Sequence, residues 1–217
     1  MEKGGVAGKN FYGNSEQVLQ ELQKANNRCH YLVSYPDLLK LRQVYAYYIK
    51  TAIQDKNEIV IILPFYENAD AVRYVLAQKN GPDVDVEKHE KEQSLIIADS
   101  LKAYFGSVEG LKPIVLKALA YAKTVGKNCV SIFADVASFF YYHKTDALIY
   151  YETSALLHQQ QQELEDNDNN ISLRGFCLYH KQDFDSRLSA QQKQRLLGHH
   201  DKNLVIIPSV KSYHFSI

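Results

Sequence analysis

Tryptophan is absent from this chain of 217 residues, methionine occurs once, and cysteine only three times. An odd number of scattered cysteines without a CxxC pair argues against a disulfide framework or a zinc knuckle, and for reduced thiols in a cytoplasmic setting. No apolar run approaches the ~20 residues that a membrane-spanning helix needs. The polar, glycine-bearing start from Met1 to Asn10 lacks the apolar core of a signal peptide. Excess charge of either sign is also missing, with Lys plus Arg at 25 and Asp plus Glu at 25. Such a balance gives no field to hold a phosphate backbone or an anionic membrane, so neither nucleic acid nor membrane is an expected partner. The first strand-to-helix turn, "SYPDLLK", has no glycine to let backbone amides approach a phosphate. That argues against a P-loop enzyme and a dinucleotide-binding fold. No GxSxG elbow and no HxxxH or HxH pair appears either, so no serine hydrolase, no metal and no other cofactor is expected.

What is present is a rhythm. Short apolar runs rich in branched residues alternate with longer segments of helical period, as parallel strands with crossover helices require. Six strands are expected: Cys29 to Tyr35, Ile59 to Phe65, Ser94 to Ser100, Cys129 to Val136, Leu173 to His180 and Leu204 to Ser209. Runs such as "IVIIL" are apolar at consecutive positions, the mark of strands covered on both faces. The expected fold is therefore an α/β three-layer sandwich with a central, mostly parallel sheet. The length suits one domain, residues 15–209, after a flexible leader (1–14) and before a C-terminal tail (210–217).

Among the helices, "SEQVLQELQKANNR" offers Ser15 as N-cap, and Pro36 fits the first turn of the helix that carries Leu41, Val44, Tyr45, Tyr48 and Ile49 on one stripe. Asn68 is an N-cap candidate with Gly81 as the stop, and Gly126 ends the segment "GLKPIVLKALAYAKTVGKN". The glutamine-rich stretch His158 to Asn170 runs from helix into an exposed Asp/Asn turn.

Ligands of open parallel sheets sit beyond the carboxyl ends of the strands. Those ends carry Tyr35-Pro36-Asp37, Phe65-Tyr66-Glu67, Asp99-Ser100, Asp135 and Tyr179-His180, a rim of aromatics and acids.

The succession "CHYLVSY", "DKNEIVIILP", "SLIIADS", "VSIFADVASFF", "ALIYYE", "GFCLYHKQDFD" and "LLGHHDKNLVI" resembles the MEDS domains, sensory domains of methanogens and methylotrophs. The resemblance runs from about Arg28 to Ile207. It implies a RecA/KaiC-like domain without its phosphate loop, and a role in sensing small molecules or relaying signals. The positions that carry it are His30, Glu58, Asp99, Glu152, Cys177, Tyr179 and one of His199 and His200. Where the family has a glutamate after the fourth strand this chain has Asp135, which reaches about one methylene less far.

Each position also has a plainer role. His30 and the cysteines suit a packed core, Asp99 and Asp135 suit helix caps, and Glu152, flanked by apolar residues, calls for a Lys or Arg partner if buried. Seven of the 16 tyrosines cluster at 45-47-48, 141-142 and 150-151, where they serve as core, pocket wall or interface. Three functional classes stand open: a ligand-binding sensory module, an oligomeric scaffold, and an enzyme using Asp135 or Glu152 with a histidine. The first is expected, non-enzymatic, with His30, Tyr35, Asp99, Asp135, Glu152, Cys177, Tyr179 and His199 as its ligand-binding residues. Its expected partner is a small molecule or a signalling protein, in a chain able to form homo-oligomers.

Overall fold

The computed structural model describes residues 9–107, 110–152 and 171–208. Along the chain come β1 (Lys9–Gly13), α1 (Ser15–Gln23), β2 (Cys29–Tyr35), α2 (Leu38–Gln54), β3 (Glu58–Leu63), α3 (Ala69–Leu76), α4 (Val86–Lys91), β4 (Leu95–Ile97), α5 (Ser100–Phe105), α6 (Lys112–Val125), β5 (Cys129–Asp135) and α7 (Ala137–Tyr141). Helical residues 145–152 form the described part of α8. Then follow β6 (Ser172–His180), α9 (Lys181–Arg187), α10 (Ala190–His199) and β7 (Lys202–Ile206).

All strand pairs are parallel, in one sheet of seven strands ordered β1-β7-β2-β6-β5-β3-β4. The three-layer α/β sandwich is as the hydrophobic rhythm requires, with one strand more than the six expected. The core residues of α1 to α4 pack with one face of the sheet, and those of α5 to α10 with the other. That division follows from the handedness of parallel crossovers, which are right-handed in nearly all folds. From β1 through β2 and β3 to β4 the chain steps in one direction across the sheet, and from β4 through β5 and β6 to β7 it steps back. Reversing direction with a fixed hand puts the returning helices on the opposite face.

The extra strand lies in the segment read as leader. Lys9 to Gly13 pairs with β7 along its whole length. As an edge strand it buries little, with Tyr12 64% exposed, so it lacks the continuous apolar run that marks the central strands. Residues 1–8, the whole C-terminal tail and the stretch His158 to Asn170 lie outside the described residues.

Several boundaries differ for physical reasons. Asn14, not Ser15, caps α1, in a capping box with Gln17. Pro36 lies before the cap of α2, because Asp37 takes that position and accepts from the Lys40 N–H at 2.9 Å. Strand β4 ends at Ile97, since the Asp99 side chain turns to cap α5. Asn68 caps α3 as expected, but the helix stops at Leu76, before Gly81. Gly126, with φ 71°, ends α6 in the left-handed conformation that glycine adopts without strain. Among the described residues no helix is long and apolar enough to cross a membrane.

Candidate functional site

Of the eight residues expected to bind a ligand, six divide between two places. Tyr35 and Asp135 stand at the carboxyl rim. His30, Glu152, Cys177 and Tyr179 meet instead inside the layer between the sheet and α8 and α10. Asp99 joins neither, being an exposed cap that accepts from the Lys102 N–H at 2.9 Å.

The rim site follows from topology. Connections leave β2 and β3 toward one face and β5 and β6 toward the other, so the carboxyl ends of these neighbouring strands border a crevice. Asp135 closes its floor at 2% exposure: its Oδ2 accepts from the Tyr35 hydroxyl at 2.8 Å and its Oδ1 from the Ala137 N–H at 2.9 Å. Burial pushes its carboxyl up to about 7, against the two hydrogen bonds, and the charges of Asp183 and Glu67 push the same way. Asp135 is thus both the cap that its sequence position suggested and a tyrosine-bonded acid, shut off from solvent.

Above it lies a pocket of about 260 Å³ lined by Tyr66, Phe140, Tyr141, His180, Gln182, Asp183 and Arg187. Asp183 accepts from the Tyr66 hydroxyl and, at 2.9 Å, from Arg187 Nε, with His180 Nδ1 at 3.5 Å. Arg187 also donates to the Phe140 carbonyl at 3.3 Å. The His180 ring lies 5.2 Å from Tyr66 and 5.4 Å from Tyr35. Ring contacts continue through Phe65 and Tyr141 to Tyr142 and Phe105, an aromatic ridge whose last three members reach the surface. Tyr66 and His180 were visible as rim residues, but Asp183 and Arg187 were missed. Their i, i+4 spacing in the helix after β6 was the available signal. A larger open groove of about 660 Å³ between α3 and α4 holds Arg73, whose guanidinium is committed to Glu90 and Asp70.

The interior cluster centres on Glu152, fully buried on α8. Its Oε2 lies 3.1 Å from His30 Nε2 and 3.4 Å from His200 Nε2, and its Oε1 accepts from the Tyr179 hydroxyl at 3.2 Å. The Cys177 thiol sits 3.6 Å from the same Oε2 and 3.1 Å from His30 Nε2. The expected Lys or Arg partner is thus replaced by two histidines. Burial would raise the Glu152 carboxyl, yet the close approach of His200 and His30 outweighs it and holds the group below the ordinary carboxylate range. Burial and the neighbouring carboxylate push the Cys177 thiol well up.

Register explains the assembly. Strand β2 pairs with β6 so that His30 lies beside Gly175 and Leu32 beside Cys177. A Cβ on Gly175 would stand 3.2 Å from His30 Cδ2, so the bare glycine gives the imidazole its place. The rings of His30 and His200 stack at 4.1 Å. Of the two candidate histidines before the last strand it is His200 that enters the cluster. His199 is half-buried beside it, its Nε2 enclosed without a hydrogen-bond partner.

No family model matches this chain, and no curated protein sequence does either.

The residues also speak against nucleotide binding at the turn after β2. The α2 N-terminus, where a phosphate loop would place its anion, already holds the Asp37 carboxylate. Calorimetric titration with magnesium-ATP or magnesium-GTP is expected to give no saturable heat. Tight, magnesium-dependent binding would overturn this.

Proposed function

We propose that this protein is a non-enzymatic sensory module that binds a small molecule, with a flat apolar face and a polar end, in the crevice beyond β2, β3, β5 and β6. The observation that carries the reading is the Tyr66–His180–Arg187 pocket at the switch point of the sheet, where open α/β sheets hold their ligands. Tyrosine and histidine rings supply the apolar walls, while the Arg187 and Asp183 pair supplies the polar contact. An acid–base role for Asp135 or Glu152 finds little support in their surroundings. The first is 2% exposed beneath Tyr35 and the second has no exposed surface at all, so neither is within reach of a substrate in the pocket. The MEDS-like order of segments is in keeping with sensing rather than turnover.

Native mass spectrometry of the full chain purified from its source cells tests this. The expected result is a retained small mass on the wild type that is lost from His180→Ala and Arg187→Ala while both variants keep the wild-type melting temperature. A mass retained equally by these variants, or none on any of them, would sink the rim reading. The scaffold alternative is favoured by one observation, the exposure of Tyr141 at 65%, Tyr142 at 48% and Phe105 at 44%. The same spectra give the subunit count. An oligomer without a retained mass, dissociated by Tyr141→Ser, would support the scaffold instead.

A further inference from the structure

A second site lies apart from the rim. We propose that His30 Nε2, His200 Nε2, Glu152 Oε2 and Cys177 Sγ bind one divalent transition metal ion of zinc type, closing a structural site between β2, β6, α8 and the turn into β7.

Geometry comes first. The four donor atoms lie within 4.8 Å of one another, and four of their separations are 3.1, 3.1, 3.4 and 3.6 Å. Tetrahedral zinc bonds of about 2.0 to 2.3 Å require edges of about 3.3 to 3.7 Å. Those four separations lie within about 0.2 Å of that range, so small side-chain shifts would close a metal-sized shell, reached from four separate elements with every member buried.

Hydrogen-bond accounting points the same way. His200 Nδ1 lies 2.7 Å from the Leu196 carbonyl, which only accepts, so this nitrogen carries a proton. In the neutral ring Nε2 then presents a lone pair, aimed at a carboxylate oxygen that is also an acceptor, and it has no hydrogen-bond partner. His30 Nε2, Cys177 Sγ and Glu152 Oε2 converge on the same point with at most one proton each on the histidine and the thiol. A cation satisfies all four donors together. On binding, the Cys177 S–H bond breaks, sulfur keeps the electron pair as a metal thiolate, and the proton leaves to solvent. The thiolate and the Glu152 carboxylate then cancel the two positive charges, so the buried site is neutral.

The outer contacts suit the role. The Leu196 carbonyl fixes the tautomer of His200, and the Tyr179 hydroxyl holds Glu152 Oε1, leaving Oε2 to face the histidines and the thiol. Four protein ligands leave no open position, the arrangement of a structural rather than a catalytic centre. No pair of ligands lies close in sequence, which is why motif spacing gave no sign of it.

The test uses the full chain, stripped with a chelator and titrated with cobalt(II), then with zinc(II) in competition. One equivalent of cobalt is expected to bind with intense tetrahedral d–d absorption and a thiolate charge-transfer band. Cys177→Ser should abolish that band, and Glu152→Gln and His200→Ala should weaken binding by about 100-fold or more. Tyr179→Phe keeps the packing and removes only the outer hydrogen bond, so a roughly 10- to 100-fold loss is expected there even if the ligand variants fold poorly. Zinc should also raise the melting temperature of the wild type and not of Cys177→Ser. Absence of cobalt binding, or a charge-transfer band unchanged in Cys177→Ser together with an affinity unchanged in Tyr179→Phe, would overturn the proposal and leave a cluster held by protons alone.

Discussion

Arg174→Met is expected to lower the unfolding free energy by about 3–5 kcal/mol, the cost of leaving a buried charge without its partner. Arg174 Nη1 donates to Glu58 Oε1 at 2.7 Å on the face that carries α1 to α4, with the two residues 8% and 2% exposed. The pair spans three strands, because β5 lies between β3 and β6. Ser131, on that middle strand, donates its hydroxyl to Glu58 Oε2 at 2.8 Å, and the Tyr48 hydroxyl adds a longer contact from α2 at 3.4 Å. Without the guanidinium, Glu58 keeps two neutral donors for a full negative charge shut off from solvent. The double variant Glu58→Leu with Arg174→Met removes both charges, so it is expected to recover at least half of the loss. The rest is not recovered, because Ser131 and Tyr48, whose hydroxyls lie 3.0 Å apart, can then satisfy only one of their two protons between them. Urea denaturation followed by circular dichroism measures both. A loss below about 1 kcal/mol for Arg174→Met would mean that water reaches the pair and the network contributes little.

This network and the rim show what can be read from residues alone. Continuous apolar runs in β2, β3 and β5 announced strands buried on both faces, and Asp135 at the end of such a run announced the rim. Edge strand β1 was not legible, because half of an edge strand faces water and its sequence resembles a polar leader. Partnerships between strands were less legible still. His30 and Cys177 are separated by 147 positions and come together only because β6 sits beside β2. That order is fixed by where the chain reverses across the sheet, a global property with no local signature. Glu152 is the sharpest case: its apolar flanks showed that it was buried and needed a partner, while the identity of the partners, two histidines, waited on strand order and register. Gly175 has the same character, since its missing side chain matters only once His30 is known to lie beside it.

Asp135→Asn is expected to remove the decline of stability that Asp135 contributes between about pH 4 and pH 7, and to stabilise the fold at pH 8 by about 1–3 kcal/mol. The folded carboxyl titrates at about 7, above the ~3.9 of an exposed aspartate, so the folded state holds this proton more tightly than the unfolded chain does. Its contribution to stability is therefore fully present below about pH 4, declines as the pH rises through 7, and is constant above that. Carried across this range, the raised value corresponds to a decline of about 4 kcal/mol. The groups that face Asp135 decide the size of the effect. Tyr35 from β2 and the Ala137 N–H of α7 stabilise the ion, while Asp183 on α9 and Glu67 after β3 oppose it. Arg187 and His180 are already engaged with Asp183.

Asparagine keeps an oxygen for the Ala137 N–H and turns its amide toward Tyr35, losing about one hydrogen bond, which is why the gain at pH 8 falls short of the full decline. Tyr35→Phe should act in the opposite sense, removing a donor to the ion and so deepening the loss of stability above pH 7. Melting temperatures of the three proteins from pH 4 to pH 9 separate these outcomes, and parallel curves for wild type and Asp135→Asn would overturn the assignment. A carboxyl poised near neutrality beneath the pocket also has a consequence for binding. A cation bound near His180 and Arg187 favours ionised Asp135 and an anion favours the protonated form. Ligand binding at the rim is therefore expected to release or take up protons according to the ligand's charge, with an apparent enthalpy that depends on the buffer in wild type and not in Asp135→Asn.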